Sequence, residues 1–115
     1  MSSDCLFCKI VSGEIPAKVR YQDELVMVIE DIDPQAPEHM LIIPKKHIRT
    51  TLDLTTADNS LVGHVFQIAG KMAHDYGFSE DGFRVVNNCN QAAGQTVWHL
   101  HFHLLGGREL TWPPG

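Results

Sequence analysis

The run Trp98-His99-Leu100-His101-Phe102-His103-Leu104-Leu105-Gly106-Gly107 decides how this chain reads. Polar and apolar residues alternate through it, and a period of two is the signature of a β-strand. On such a strand His99, His101 and His103 share one face, and Leu100, Phe102 and Leu104 share the other. The apolar face requires a core. The imidazole face is a row of groups that is costly to bury unless each ring finds a partner, a ligand or a metal. Histidine can act as base, acid, nucleophile or metal ligand near neutral pH. One strand histidine is commonly a satisfied surface or core residue. Three at alternate positions on an apolar backing point to a functional site.

Upstream of the run, Ala92-Ala93-Gly94-Gln95-Thr96 is a small-residue loop that feeds directly into it. Such a loop can be a plain hairpin. Beside the histidines it reads as a ligand loop, where small residues admit close approach and Gln95 and Thr96 add donors. Phe83 to Val86 reads as the preceding strand and leads into Asn87-Asn88-Cys89-Asn90-Gln91. Before that, Leu61, Val62, Val65, Ile68, Ala69, Met72, Ala73 and Tyr76 fall at three- and four-residue intervals. That spacing predicts one long amphipathic helix, capped near Thr55-Thr56, ended by Gly77, with His64 and His74 on its solvated side.

The first half yields three further strands, Val19–Tyr21, Leu25–Ile29 and His39–Ile43, the last closed by Pro44. Asp31 stands at the mouth of the loop after the second, where an acid ordinarily caps a turn. His47, just past the third, reads as solvated. A short helix is expected between Cys5 and Gly13. Its Cys5-x-x-Cys8 pair has three readings: a redox motif, two small apolar residues, or half of a zinc site whose other ligands are histidines. The order of short helix, three strands, long helix and two strands predicts an α+β fold with an antiparallel sheet.

The chain has 115 residues and a formal net charge of −5. That length suits one domain spanning 1–115. No basic stripe is present to follow a phosphate backbone, so nucleic acid is not an expected partner. No apolar run is long enough to span a bilayer and no signal-peptide pattern opens the chain, so no membrane partner and a cytoplasmic location are expected. Three cysteines do not make a disulfide framework. The terminal Trp112-Pro113-Pro114-Gly115 is apolar, and Trp112 suggests packing against another subunit.

The run His99-Leu100-His101-Phe102-His103-Leu104-Leu105 resembles the histidine-triad motif. Asp31-Ile32-Asp33-Pro34-Gln35-Ala36-Pro37-Glu38-His39, Ile43-Pro44-Lys45-Lys46-His47, Gly94-Gln95, Leu105-Gly106-Gly107-Arg108 and the Trp112-Pro113-Pro114-Gly115 ending extend the likeness. Together they resemble the histidine triad nucleotide-binding proteins, the purine nucleoside phosphoramidase branch of that family. The resemblance implies a five-stranded antiparallel sheet with two helices, and a homodimer whose sheets join. It implies hydrolysis of purine nucleoside phosphoramidates, such as AMP linked to an amine, or of aminoacyl-adenylates. His101 would be the nucleophile that forms a nucleotidyl-histidine, and His103 would contact the phosphate or leaving group. Asn88, Thr96 and the backbone near Gly94 and Gln95 match phosphate-contacting positions. Asp31 matches the acid on the ribose hydroxyls. Leu6, Phe7, Ile10 and Ile29 match the purine slot. Some bacterial-type members also place Cys5, Cys8, His47 and His99 around a structural zinc. Thr96 stands where serine is frequent, and Trp98 where tyrosine is. Two other readings stay open: a hydrolase with one catalytic zinc on all three triad histidines, and a nucleotide-binding regulatory module with weak catalysis.

Overall fold

Proline, glycine and aspartate punctuation cuts the chain into short elements. A computed structural model describes residues 4–115. The elements are α1 (Leu6–Val11), β1 (Val19–Gln22), β2 (Val26–Glu30), β3 (Glu38–Pro44), α2 (Asn59–Asp75), β4 (Phe83–Val86) and β5 (Phe102–Gly106). Short 3-10 turns precede α2 and β5. The five strands form one antiparallel sheet in the order β1-β2-β3-β5-β4. Asp23 fixes the first hairpin, its Oδ1 accepting the N–H groups of Leu25 and Val26. Gly77, at φ +83°, ends α2, and the Phe78 N–H returns to the Ala73 carbonyl.

Helices cover both faces of the sheet interior, so β2 and β3 read as nearly continuous apolar runs. On one face Val26, Val28, Met40, Ile42, Leu100, Phe102 and Leu104 meet the apolar stripe of α2. On the other, Met27, Ile29, Leu41 and Ile43 meet Phe7 and Ile10 of α1. A six-residue helix has no stability of its own. Burial of Phe7 and Ile10, worth roughly 1.5–3 kcal/mol for each side chain, holds α1 against that second face.

The alternating run is only partly strand. β5 begins at Phe102, whereas the alternation predicts a strand from Trp98. Phe102 pairs with Ile42, so the same register would set Leu100 opposite Pro44. Proline has no N–H for the ladder, and the strands part. The Leu100 N–H donates instead to the Ile48 carbonyl at 2.6 Å. The alternation of faces survives: Leu100 lies in the α2-side core, and the rings of His99 and His101 meet Phe7. His64 also departs from expectation. Its Nε2 lies 2.6 Å from Asp23 Oδ2, joining α2 to the first hairpin, whereas His74 is solvated as expected.

At the end of β5 the Phe78 ring packs directly on Gly106, and a Cβ there would overlap it. Phe78 is itself buried in the α2-side core. Gly106→Ala is therefore expected to cost about 1–3 kcal/mol, read as a thermal midpoint about 4–12 °C lower. An unchanged midpoint would show that the ring moves aside freely.

Candidate active site

The N-terminal turn builds the first cluster. Cys5 caps α1, its sulfur accepting the Cys8 N–H at 3.2 Å. One helical turn thus sets both sulfurs on the side facing the His99 segment. Cys5 Sγ lies 3.2 Å and Cys8 Sγ 3.6 Å from His99 Nδ1. His47 Nδ1 lies 3.3 Å from Cys8 Sγ and 3.1 Å from His99 Nδ1. The four ligand atoms all fall within 4.8 Å of one another. Zinc with bonds of about 2.3 Å to sulfur and about 2.0–2.1 Å to nitrogen needs tetrahedral edges of roughly 3.3–3.8 Å. His99 also has the required tautomer: its Nε2–H donates to the Pro44 carbonyl at 2.7 Å, leaving the Nδ1 lone pair toward the sulfurs. Burial, with Cys5 beside it, pushes the Cys8 thiol up to about 11. Without a cation the Cys8 thiol stays protonated at neutral pH. The donor set and the fixed tautomer both fit zinc.

His99 also orients its neighbour. The His101 Nδ1–H donates to the His99 carbonyl at 2.7 Å, which leaves Nε2 as the ring's free, basic nitrogen. Asn87 Nδ2 donates to the His101 carbonyl at 2.9 Å, and the Phe7 ring lies edge-on to the imidazole at 5.0 Å. Burial lowers the pKa of His101, so the ring is neutral at pH 7. A fixed, neutral, buried imidazole with one free nitrogen has the form of a nucleophile.

His103 is held from behind by His39. The Gln35 N–H donates to His39 Nδ1 at 3.0 Å, so the His39 proton sits on Nε2. That proton points at His103 Nδ1, 2.9 Å away, with Asp31 Oδ2 at 3.4 Å. His103 therefore carries its own proton on Nε2, as a donor. The three triad rings thus turn to three different partners. Among the described residues no cluster of ligand atoms joins all three, so this geometry lends no support to one catalytic zinc on the whole triad. Asp31 does two things. Oδ1 caps the loop by accepting the Asp33 N–H at 2.8 Å, and Oδ2 faces the histidines.

Burial, reinforced by the neighbouring His101 and His39 rings, takes His103 down to about 4. An unfolded histidine titrates near 6.5, so between those values only the unfolded chain takes up this proton. Stability is full above about pH 6.5 and falls as the pH drops toward 4, by up to about 3 kcal/mol from His103 alone. The thermal midpoint of His103→Asn should fall less steeply than that of the parent across this window. Equal slopes would show that His103 is not held neutral.

A cavity of about 350 Å³ joins these parts, lined by Leu6, Phe7, Ile10, Ile29, Asp31, Asn88, Gly94, Thr96, His101 and His103 among others. Gln95 is the expected residue that lies elsewhere. Its Oε1 accepts the Asn90 N–H and its Nε2 donates to the Arg49 and Val97 carbonyls, so the side chain braces the loop and gives the cavity no donor. The Gly94 and Gln95 N–H groups are also used within the loop. Thr96 keeps its hydroxyl free of partners among the described residues.

His39, Asn87 and Gln35 are the positioning residues that the pattern of residues does not reveal. Their roles depend on strand register, which sets His39 beside Leu105 and Leu41 beside His103. The only signal in the sequence is His39 itself, a polar residue next to the apolar run from Met40 to Ile43.

The sequence matches the HIT domain family over residues 12–110. The chain is 44% identical to the purine nucleoside phosphoramidase of Escherichia coli K12 over 110 residues, 96% of this chain and 92% of that protein. A HIT family hydrolase of Legionella pneumophila superposes with a TM-score of 0.96 at 53% identity, covering 97% of this chain and 100% of that one. A zinc-bound histidine triad family protein of Mycobacterium smegmatis superposes with a TM-score of 0.79 at 36% identity, covering 91% and 76%.

Proposed function

The chain belongs to the HIT domain family, and from that premise we propose that it hydrolyses purine nucleoside phosphoramidates through a nucleotidyl-histidine on His101. One observation carries this reading: His101 lines the cavity with Nδ1 bound to the His99 carbonyl and Nε2 free. The purine lies among Leu6, Phe7, Ile10 and Ile29, and Asp31 accepts from the ribose hydroxyls. The phosphate is held by Thr96 and by Asn88, with Gly94 lining the same cavity. His101 Nε2 attacks the α-phosphorus as the P–N bond breaks. The amine departs neutral, its nitrogen having taken a proton from solvent, while the His103 Nε2–H donates a hydrogen bond to the phosphate and the charge on the phosphate oxygens meets positioned donors. Water then attacks phosphorus, gives its proton to solvent and releases AMP and neutral His101.

Cys5, Cys8, His47 and His99 hold a structural zinc in this reading. The metal adds rigidity beneath the site, and every step above uses side chains outside the cluster. A second copy continues the sheet in a homodimer, with exposed Trp112 as a contact. β4 is an outer strand with one free edge to offer. No helix among the described residues is long and apolar enough to cross a membrane. Cys5, Cys8 and Cys89 are outside any disulfide, which suits a reducing compartment such as the cytoplasm.

The test is AMP release from adenosine 5′-phosphoramidate, with the acid-labile covalent intermediate trapped by rapid quench and detected by mass. Turnover with a nucleotidylated peptide containing His101 supports the reading. Nucleotide binding with no turnover transfers it to the regulatory-module alternative.

A further inference from the structure

A second cleft, of about 440 Å³, adjoins the nucleotide cavity. Leu6, Thr96 and Val97 line both spaces, whereas His101 and His103 line only the first. The second is completed by Arg49, Trp98, His47 and Asp4 among others. Arg49 is its only Lys or Arg, and Asp4 its only acid. The Arg49 guanidinium carbon lies 4.4 Å from the centroid of the Trp98 ring. The Arg49 backbone is also tied to the phosphate loop, because Gln95 Nε2 bridges the Arg49 and Val97 carbonyls at 3.0 and 3.1 Å. Arg49 is therefore a charge held at a set place relative to Thr96, preorganised by stacking.

In-line displacement requires the amine to leave on the side opposite the attacking nitrogen. With the nucleoside in the first cavity, any substituent on that amine must extend away from His101. Thr96 lines both the cavity that holds His101 and the cleft beside it. We infer that this cleft receives the leaving-group arm, and that Arg49 selects substrates whose departing amine carries a carboxylate, as in an amino acid joined to AMP through its nitrogen. The inference rests on the phosphoramidase reading and deepens it. The bonds made and broken are those given above, so no further reactant enters.

The experiment compares kcat/KM for three substrates: adenosine 5′-phosphoramidate, the glycine N-adduct of AMP, and the methyl ester of that adduct. The parent is set against Arg49→Gln and Arg49→Glu. Because acid and ester differ in intrinsic reactivity, the reading is the change in their ratio between proteins. One partly exposed charge pair corresponds to about a fivefold effect. The acid-to-ester ratio is expected to fall about fivefold in Arg49→Gln and further in Arg49→Glu, while the unsubstituted phosphoramidate turns over at the parental rate. An unchanged ratio overturns the inference, as does a ratio that rises in Arg49→Glu. An equal loss on all three substrates makes Arg49 a structural residue and also overturns it. If the parent cleaves none of the three, the phosphoramidase reading itself fails and carries this inference down with it.

Discussion

His101→Ala should lower kcat/KM for adenosine 5′-phosphoramidate by a factor of about 10⁴ or more, the scale of loss when a covalent nucleophile is removed. The size follows from the geometry around the ring. The His99 carbonyl fixes the tautomer, Phe7 fixes the ring plane, and Asn87 holds the His101 carbonyl. Nothing else in the cavity offers a free neutral imidazole nitrogen in its place, because His103 is committed to His39 through Nδ1. AMP affinity should change only a few-fold, since the apolar slot and Asp31 remain. His101 is buried, so a melting curve must accompany the kinetics to show that the variant folds. Loss of less than tenfold in a folded variant would exclude the covalent route.

The second large effect concerns the Cys5-Cys8-His47-His99 cluster. The purified protein should hold one zinc per chain, and stripping it should lower the thermal midpoint by about 10 °C. A ligand present at 100–1,000 times its dissociation constant contributes about 3–4 kcal/mol. In a domain of this size that corresponds to about 3–4 °C per kcal/mol. The doubly substituted Cys5→Ala, Cys8→Ala protein should melt near the stripped value and ignore chelator. It should still turn over adenosine 5′-phosphoramidate within about tenfold of the parent well below its midpoint, because the donors of the cluster are not those of the cavity. Zinc-free protein that ignores chelator would remove the metal from the account. Activity abolished by chelator at low temperature, and restored by zinc, would put a metal in the chemistry after all.

The local patterns carried far in this chain. The apolar runs of β2 and β3 announced strands covered on both faces, and the three- and four-residue spacing from Leu61 to Tyr76 announced α2. The alternation of the histidine run separated core from cavity correctly even where the strand is absent. What the pattern hid is long-range. The break before Phe102 is imposed by Pro44, more than fifty residues earlier, and only pairing register connects them. His39 and Gln35 acquire their roles from the tautomer they impose on a ring in another strand. Gln95 illustrates the reverse: a ligand-loop amide in the sequence, it is consumed by its own loop. A donor's chemistry is legible from one residue, but whether it is already spoken for is not.

The two-faced run from Leu100 to Leu104 also limits how such a chain can diverge. Substitution there is graded, because a methyl lost from Leu104 or a ring exchanged at His103 is felt on one side only. A single-residue insertion or deletion is not graded. It would turn every following side chain over, delivering Leu104 to the cavity and His103 into the packing against α2. Lineages that keep this architecture can change loop lengths away from the site, but within the run they must count in twos.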